Sequence, residues 1–318
     1  MDDKKTYTTV DDLLKEADQE YLRLLNENKL TEVLQAIGTF PTLSVVNSVL
    51  IKKQMPSATK VMAFDYWGQC GRKIIKDQKS LKKIGTTRNA KYQDYVVELE
   101  TSHDKENKNR EITIEHVFDI SQTEGDPLKY ENTNKETLAK YFDNVKKNLE
   151  TLVKGYEVEY SKDITENSKV DKENKKIIIK DGMQISDVCN ELVDRCVELL
   201  IDTKFQEGLT ADTKPNIKDI EIKCAKYALR YKYDLDIPNY DFSEIAKYTE
   251  NEKLIFRDNL QKSRAVVSQV ANKLETAVEY AIRDLDRKMK NIEQELSSQE
   301  NQATQQPHKQ TQYEGEQL

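Results

Sequence analysis

Residues 177–200 read IIIKDGMQISDVCNELVDRCVELL. Ile177, Ile178 and Ile179 form a β-branched run suited to a strand, and Asp181-Gly182 supplies a turn. A helix is expected to open near Ser186. Val188, Cys189, Leu192, Val193, Cys196, Leu199 and Leu200 recur at intervals that put them on one buried helix face. The other face carries Asn190, Glu191, Asp194 and Glu198. Strand, turn and helix in this order point to an α/β (α+β) fold. What the polar stripe faces separates an ordinary amphipathic helix with a solvated face from a chemical site.

The same stretch resembles the strand and active-site helix of zincin metalloproteases. Their helix carries His-Glu-x-x-His, two histidines one turn apart on zinc and a glutamate that activates a water. Here the register is Asn190-Glu191-Leu192-Val193-Asp194, with the glutamate present and both histidines replaced. Glu191 as a general base would have no metal-bound water to act on. No working zinc site is expected, and no cofactor.

The chain has 318 residues, enough for two domains or one with extensions. Charged residues make up 34% and hydrophobic ones 37%, so a core is expected beneath a well-solvated surface. The net charge of −7 gives no global case for nucleic-acid binding, which would have to rest on a local patch. No apolar run approaches the roughly 18–20 residues that cross a bilayer. The opening MDDKKTYTTVDD is too polar for a signal peptide, so the expectation is a cytoplasmic protein without a membrane partner. Cys70, Cys189, Cys196 and Cys224 are expected to be reduced thiols, and no CxxC pair suggests structural zinc. His103, His116 and His308 leave little for a histidine metal site.

Taken from the start, a helix is expected over 9–27, with Thr9 and Asp12 resembling a capping box. Further helices are expected near 31–38 and 43–53. From Trp67 to Val96 stand Arg72, Lys73, Lys76, Lys79, Lys82, Lys83, Arg88 and Lys91, opposed only by Asp77 and Asp94, a local +6 within a negative chain. Such a reversal suits an anionic partner, or a solvated lysine-rich hairpin. Strands are expected at 92–99 and 111–118, joined by a loop at 100–110. His116 falls in the second strand, where it reads as a packed or edge histidine rather than a ligand.

Asn47, Leu50-Ile51, Gln54, Pro56, Ala58-Thr59, Trp67, Gly71, the basic stretch Lys73–Lys79 and the run VFDISQT at 117–123 stand in an order and spacing that resemble the single-stranded-DNA-binding domain of ArdC-type antirestriction proteins and of the LtrC-like proteins of conjugative elements. Lys76-Asp77-Gln78-Lys79 departs from the family's Lys-Gly-Glu-Lys-like turn. The resemblance continues through the 176–200 stretch. Residues 221–228, EIKCAKYA, then look like the helix that bears the third, acidic ligand, with Glu221 and Tyr227 kept and Lys223 in place of the second acid. It ends near residue 248, where Asp241 and Glu244 signal a short helix at 242–248. The resemblance implies a zincin-like domain with a degenerate metal site at Asn190, Glu191, Asp194 and Glu221. Those oxygens offer material for Mg²⁺ or Ca²⁺ at most.

One helix is expected over 135–154, and another over 251–296. In the latter, Val267, Val270, Leu274, Val278, Ala281, Leu285, Met289, Ile292 and Leu296 step by three and four. That stripe packs on its own domain or zips to a second copy. Residues 297–318 hold seven glutamines and read as a disordered tail. The expected organisation is thus 1–134, a single-stranded-DNA-binding-like domain; 135–248, a degenerate zincin-like domain; 249–296, a long amphipathic helix; and the tail.

The function that follows is a DNA-binding accessory or antirestriction protein of a mobile genetic element, encoded by a bacterium, phage or plasmid. Arg72, Lys73, Lys76, Lys79, Lys82, Lys83 and Arg88 would follow phosphates. Tyr66, Trp67 or Phe118 would stack on unpaired bases, or else belong to the core. The domain without its histidines would be a pseudoenzyme. The alternative is a protein-interaction or oligomerisation scaffold built on that domain and the 251–296 helix.

Overall fold

The structure, a computed structural model, describes residues 9–86, 112–128, 133–206 and 217–304. It is α+β. Three helices open it: α1 (Val10–Asn26), α2 (Leu30–Thr39) and α3 (Val45–Gln54). The Thr9 hydroxyl accepts from the Asp12 N–H at 3.1 Å and the Asp12 carboxylate accepts from the Thr9 N–H at 2.8 Å, so two orphan donors are satisfied. Leu13, Ala17, Tyr21, Leu24 and Leu25 form the buried stripe of α1. α3 is buried from Val45 through Ile51, because helices and a sheet cover it on several sides.

The sheet under α3 comes from the basic block and the strand that follows. In chain order the elements are β1 (Val61–Ala63), α4 (Phe64–Gln69), β2 (Arg72–Ile74), β3 (Leu81–Thr86), β4 (Ile112–Asp119) and β5 (Thr123–Gly125). β4 is the centre of an antiparallel sheet ordered β1-β4-β3, and β2 pairs with β5. The strand expected at 92–99 and the loop at 100–110 lie outside the described residues.

Outside its pairing with β4, strand β3 needs partners for its remaining backbone groups, and α3 supplies them. The Asn47 side chain donates to the Ile84 carbonyl and accepts from the Ile84 N–H, both at 2.9 Å. Two turns on, the Gln54 side chain donates to the Lys82 carbonyl at 2.7 Å and accepts from the Lys82 N–H at 2.8 Å. Two side-chain amides seven residues apart thus bond β3 where a neighbouring strand would, covering an edge that could otherwise template foreign pairing. Phe40, Ile51, Leu81 and Val117 pack on one side of this junction, and Leu13, Val46, Leu50 and Ile84 on the other.

The second half begins with α5 (Lys135–Lys140) and α6 (Phe142–Glu150). The single helix expected over 135–154 is broken at Tyr141, whose φ of −109° and ψ of 32° leave helical geometry. Three strands follow, β6 (Glu157–Ser161), β7 (Ser168–Asp171) and β8 (Lys176–Lys180), with β8 central, parallel to β6 and antiparallel to β7. Gly182 turns the chain at φ +84°, a conformation that costs glycine little. α7 (Ile185–Gln206) and α8 (Ile217–Lys232) come next, and α9 (Glu250–Thr304) ends the described chain. The short helix expected at 242–248 is a 3-10 turn, Ile245–Lys247. Asp241 still caps the approach by accepting from the Ser243 N–H at 2.9 Å.

One hydrophobic core runs from Tyr21, Leu34 and Val49 through Val193 and Ala225 to Val267 and Leu274. Helices on both sides of the boundary expected at residue 134 pack into it. α2 and α8 approach so closely that a Cβ on Gly38 would lie 2.4 Å from the Ala228 carbonyl oxygen. Cys189, Cys196 and Cys224 are buried free thiols, and Cys70 is exposed. α9 continues past Leu296 to Thr304, into the segment expected to be a disordered tail, whose residues 305–318 lie outside the described ones. Among the described residues no helix is long and apolar enough to cross a membrane.

Asn47→Ala strips partners from a buried N–H and carbonyl at once. Urea denaturation should show a loss of about 2–4 kcal/mol. Gln54→Ala, at a wetter position, should cost about 1 kcal/mol. A loss for Asn47→Ala no greater than for Gln54→Ala would refute the edge-closing role.

Candidate functional site

The polar stripe of α7 is covered by α8 and β7, so it is neither the solvated face nor the metal cluster that its sequence allowed. Asp194 is buried and accepts two hydrogen bonds from the Arg230 guanidinium, at 3.1 and 2.9 Å. The Lys226 ammonium lies 3.4 Å from the same carboxylate and 2.6 Å from Glu198. Glu198 also takes Arg195 at 2.7 Å. Glu191 accepts a short hydrogen bond from the Ser168 hydroxyl and lies 3.7 Å from Arg195. Burial works against the Arg230 charge, but the Asp194 hydrogen bonds, together with the electrostatic pull of Asp194, Tyr240 and Glu191, outweigh it and hold the guanidinium above its usual value. Burial, with the Asp194 charge nearby, likewise raises the Tyr240 phenol.

Asn190 and Glu221 do not complete a ligand set. The buried Asn190 side-chain oxygen has no hydrogen-bond partner among the described residues. Glu221 is almost fully buried and neither of its carboxylate oxygens has one. Its backbone carbonyl accepts from the Ser263 hydroxyl of α9 at 3.0 Å, and the charge acting on its carboxyl is that of Lys262. Burial pushes the Glu221 carboxyl up to about 7, with Lys262 pulling the other way. Among the described residues no cluster of three or more His, Cys, Asp or Glu could hold a metal ion. The residues therefore do not fit zinc, or the oxygen-ligated Mg²⁺ or Ca²⁺ that their side chains suggested. Lys223, which stands in place of the second acid, does not face this network. Lys223 acts on Cys224 and Asp241, while Lys226 and Arg230, three and seven residues on, face α7.

The basic block divides into residues spent on the fold and residues left on the surface. Trp67 is fully buried and its indole N–H donates to the Phe118 carbonyl at 2.9 Å, so it is core and cannot stack on a base. Phe118 is half-buried in β4. Arg72 donates to the Thr123 hydroxyl at 2.8 Å and to the Thr123 and Gly125 carbonyls at 3.1 Å each, clamping β2 to β5. Lys83 is buried against Glu115, and Lys82 is half-buried. Arg88 lies outside the described residues. Lys73, Lys76 and Lys79 are exposed and, among the described residues, make no ion pair. Phe64 is 64% exposed, Tyr66 42% and Ile75 36%. Phe64 and Ile75 were not singled out from the sequence. With Trp67 buried, a six-residue helix presents Phe64 and Tyr66 outward, which shows only once the packing of α4 is known.

The VFDISQT run holds this surface in place. Asp119 is fully buried and accepts from the Thr59 and Lys60 N–H groups at 2.7 and 2.9 Å, and from the Ser121 N–H and hydroxyl. The Gln122 side chain accepts from the Asp119 N–H and donates to the Lys79 carbonyl at 2.7 Å. Asp77 takes φ +66°, so the turn that lacks the family's glycine still adopts the left-handed conformation, which aspartate tolerates better than most residues. An open groove of about 520 Å³ lies beside it, lined by Gln54, Met55, Gln78, Lys79 and Gln122 among others. His116 is exposed on β4, with Nδ1 2.7 Å from the Ser80 hydroxyl.

No protein-family model matches the sequence, and no curated protein does. Among solved structures, the fold is similar to the metal-free crystal structure of the antirestriction protein ArdC from plasmid R388. The match covers 84% of this chain and 98% of that one, at 13% identity and a TM-score of 0.47. The Mn(II)-bound structure of the same protein matches over the same shares, at 12% identity and a TM-score of 0.43.

Asp194→Ala leaves Arg230 buried without its carboxylate and should cost about 3 kcal/mol of stability by urea denaturation. Replacing both partners by methionine should recover most of that loss. If the single change is harmless, the pair does not hold α7 to α8. Glu221 gives a pH signature. Its folded value of about 7 lies above the ordinary 4.5. The folded chain keeps a proton that the unfolded chain has released. Its contribution is therefore complete below pH 4.5 and is lost as pH rises through 7, at up to about 1.4 kcal/mol per pH unit. Glu221→Gln should flatten that slope. An unchanged slope between these limits would show that another group sets it.

Proposed function

We propose that the chain binds single-stranded DNA through the surface formed by α4, β2 and the turn after it, as a non-enzymatic accessory protein. The observation that carries this is the exposure of Phe64, Tyr66 and Ile75 among the exposed lysines 73, 76 and 79. Large apolar side chains are costly to leave in water, and beside lysines they offer stacking faces next to phosphate partners. Lysine supplies charge without bidentate base recognition, so the surface is suited to strand form rather than to sequence. Single strands expose their bases to an aromatic side chain, whereas a duplex hides them. The antirestriction setting, on a mobile element in a bacterial cytoplasm, comes from the sequence resemblance to ArdC-type and LtrC-like proteins.

The metal-site positions support the non-enzymatic part of the reading. Asp194 is already paired with Arg230, and Glu191 accepts from the Ser168 hydroxyl with Arg195 3.7 Å away, which on this reading makes the second half a pseudoenzyme-like support. The binding surface then lies before residue 135, and the helices after it support that surface through the shared core.

Fluorescence anisotropy with labelled single-stranded and duplex oligonucleotides tests the proposal. The single strand should bind more tightly. Substituting Lys73, Lys76 and Lys79 by alanine should lower the slope of log affinity against log salt by about 2. Phe64→Ala and Tyr66→Ala should each weaken single-strand binding by about 1–3 kcal/mol with little change in that slope. Equal affinity for duplex, or a salt-independent interaction, would overturn it.

A further inference from the structure

The apolar stripe of α9 is buried along its first part and bare along its second. Val267, Val270, Leu274, Val278 and Ala281 pack into the protein. From Leu285 to Ser297 every residue is exposed. The stripe itself does not stop there: Leu285 is 44% exposed, Met289 58%, Ile292 55% and Leu296 55%. From Ile282 to Thr304 the helix extends about 34 Å at 1.5 Å per residue. The alternatives for the stripe, packing on its own domain or meeting a second copy, are divided along its length: the first half packs on its own domain.

The bare half has the phase of a coiled-coil seam. Leu285, Met289, Ile292 and Leu296 are spaced four, three and four, the alternation of d and a positions in a heptad, in phase with Ile282, which is half-buried against the core. In that register Lys288 is a g residue and Glu293 an e residue. When two identical helices pair in parallel, g of one lies beside the following e of the other. Lys288 then meets Glu293 of the other copy, twice by symmetry. Asp286, the preceding e residue, meets Ala281 and opposes no charge. The next such pair, Glu295 with Glu300, carries like charges but falls at the end of the seam, beyond Leu296, whereas an antiparallel pair sets both the attraction between Lys288 and Glu295 and the repulsion between Asp286 and Glu293 inside the seam. The present partner of Lys288 is Asp284, one turn back at 2.8 Å on an exposed surface, worth a few tenths of a kcal/mol and easily exchanged.

We propose that residues 285–296 form a parallel two-stranded coiled coil with the same segment of a second copy of this chain. The seam is short and the residues after Leu296 are polar, so the dimer dissociates on dilution.

Sedimentation velocity of the full chain over a range of micromolar concentrations reads this directly. A reversible monomer–dimer equilibrium is expected. Leu285→Glu with Ile292→Glu should abolish it, with unfolding midpoints unchanged because both side chains are exposed. Lys288→Glu alone should weaken dimerisation at least severalfold, and adding Glu293→Lys should restore it. For direction, Ile292→Cys on a Cys70→Ser background should give a disulfide-linked dimer on mild oxidation, since only a parallel pair sets residue 292 against itself. A monomer at every concentration would overturn the proposal, and so would a charge reversal that fails to rescue. A dimer that forms without cross-linking at 292 would overturn the parallel seam.

Discussion

A buried carboxylate has to be matched by a cation, and the packing of α7 on α8 depends on how Asp194 meets that demand. Here the Arg230 guanidinium and the Lys226 ammonium occupy the electrostatic role beside Asp194, and Glu198 balances the second of them. The pairing has a chemical consequence. A metal keeps an open position for water, but a guanidinium whose donors are already engaged does not polarise a bound water toward hydroxide. Arg230 is engaged twice with Asp194 and again with the Asp236 carbonyl. The network fastens two helices.

The same economy appears in the first half. Asp119, Gln122 and Thr123 of the VFDISQT run point their polar atoms at backbone and at Arg72, and Asn47 and Gln54 give theirs to β3. The residues that make this region recognisable are largely those that satisfy buried backbone groups, which tolerate little substitution because each lost bond leaves a stranded polar group. What they hold in position is a surface with few hydrogen-bonding commitments of its own, and that surface is where binding chemistry is free to sit.

This explains what could be read in advance and what could not. Helical periodicity shows in sequence because it is local, so α1 with its Thr9 cap, the strand–turn–helix at 176–206 and the long α9 were all legible. The Tyr141 break, the strands β6 and β7 and the closing of the β3 edge were not, since each answers to partners far along the chain. The charge count of the basic block was legible, but its use was not. Lys83 and Lys79 look alike in sequence; one is buried on Glu115 and the other is exposed. Lys223 stands where the resemblance puts a second acidic ligand, but it is not the cation that meets Asp194. Lys226 and Arg230 fill that role because they lie on the face of α8 that meets α7.

Charge also limits how the candidate surface can work. Of the described cations in the block, Arg72 and Lys83 are committed to the fold and Lys82 is half-buried, leaving Lys73, Lys76 and Lys79 exposed in a chain of net charge −7. Three phosphate contacts release few counterions, so electrostatics alone gives weak binding at physiological salt. Apolar contact by Phe64, Tyr66 and Ile75 then has to carry a large share, which selects for unpaired bases. It also makes a single copy a modest binder. Joining two copies turns the second contact with one long strand into an intramolecular event, and apparent affinity rises with no new contact at either surface. The bare end of α9 and the sparse charge of the binding face thus bear on the same quantity, the strength with which a weak site holds an extended polymer.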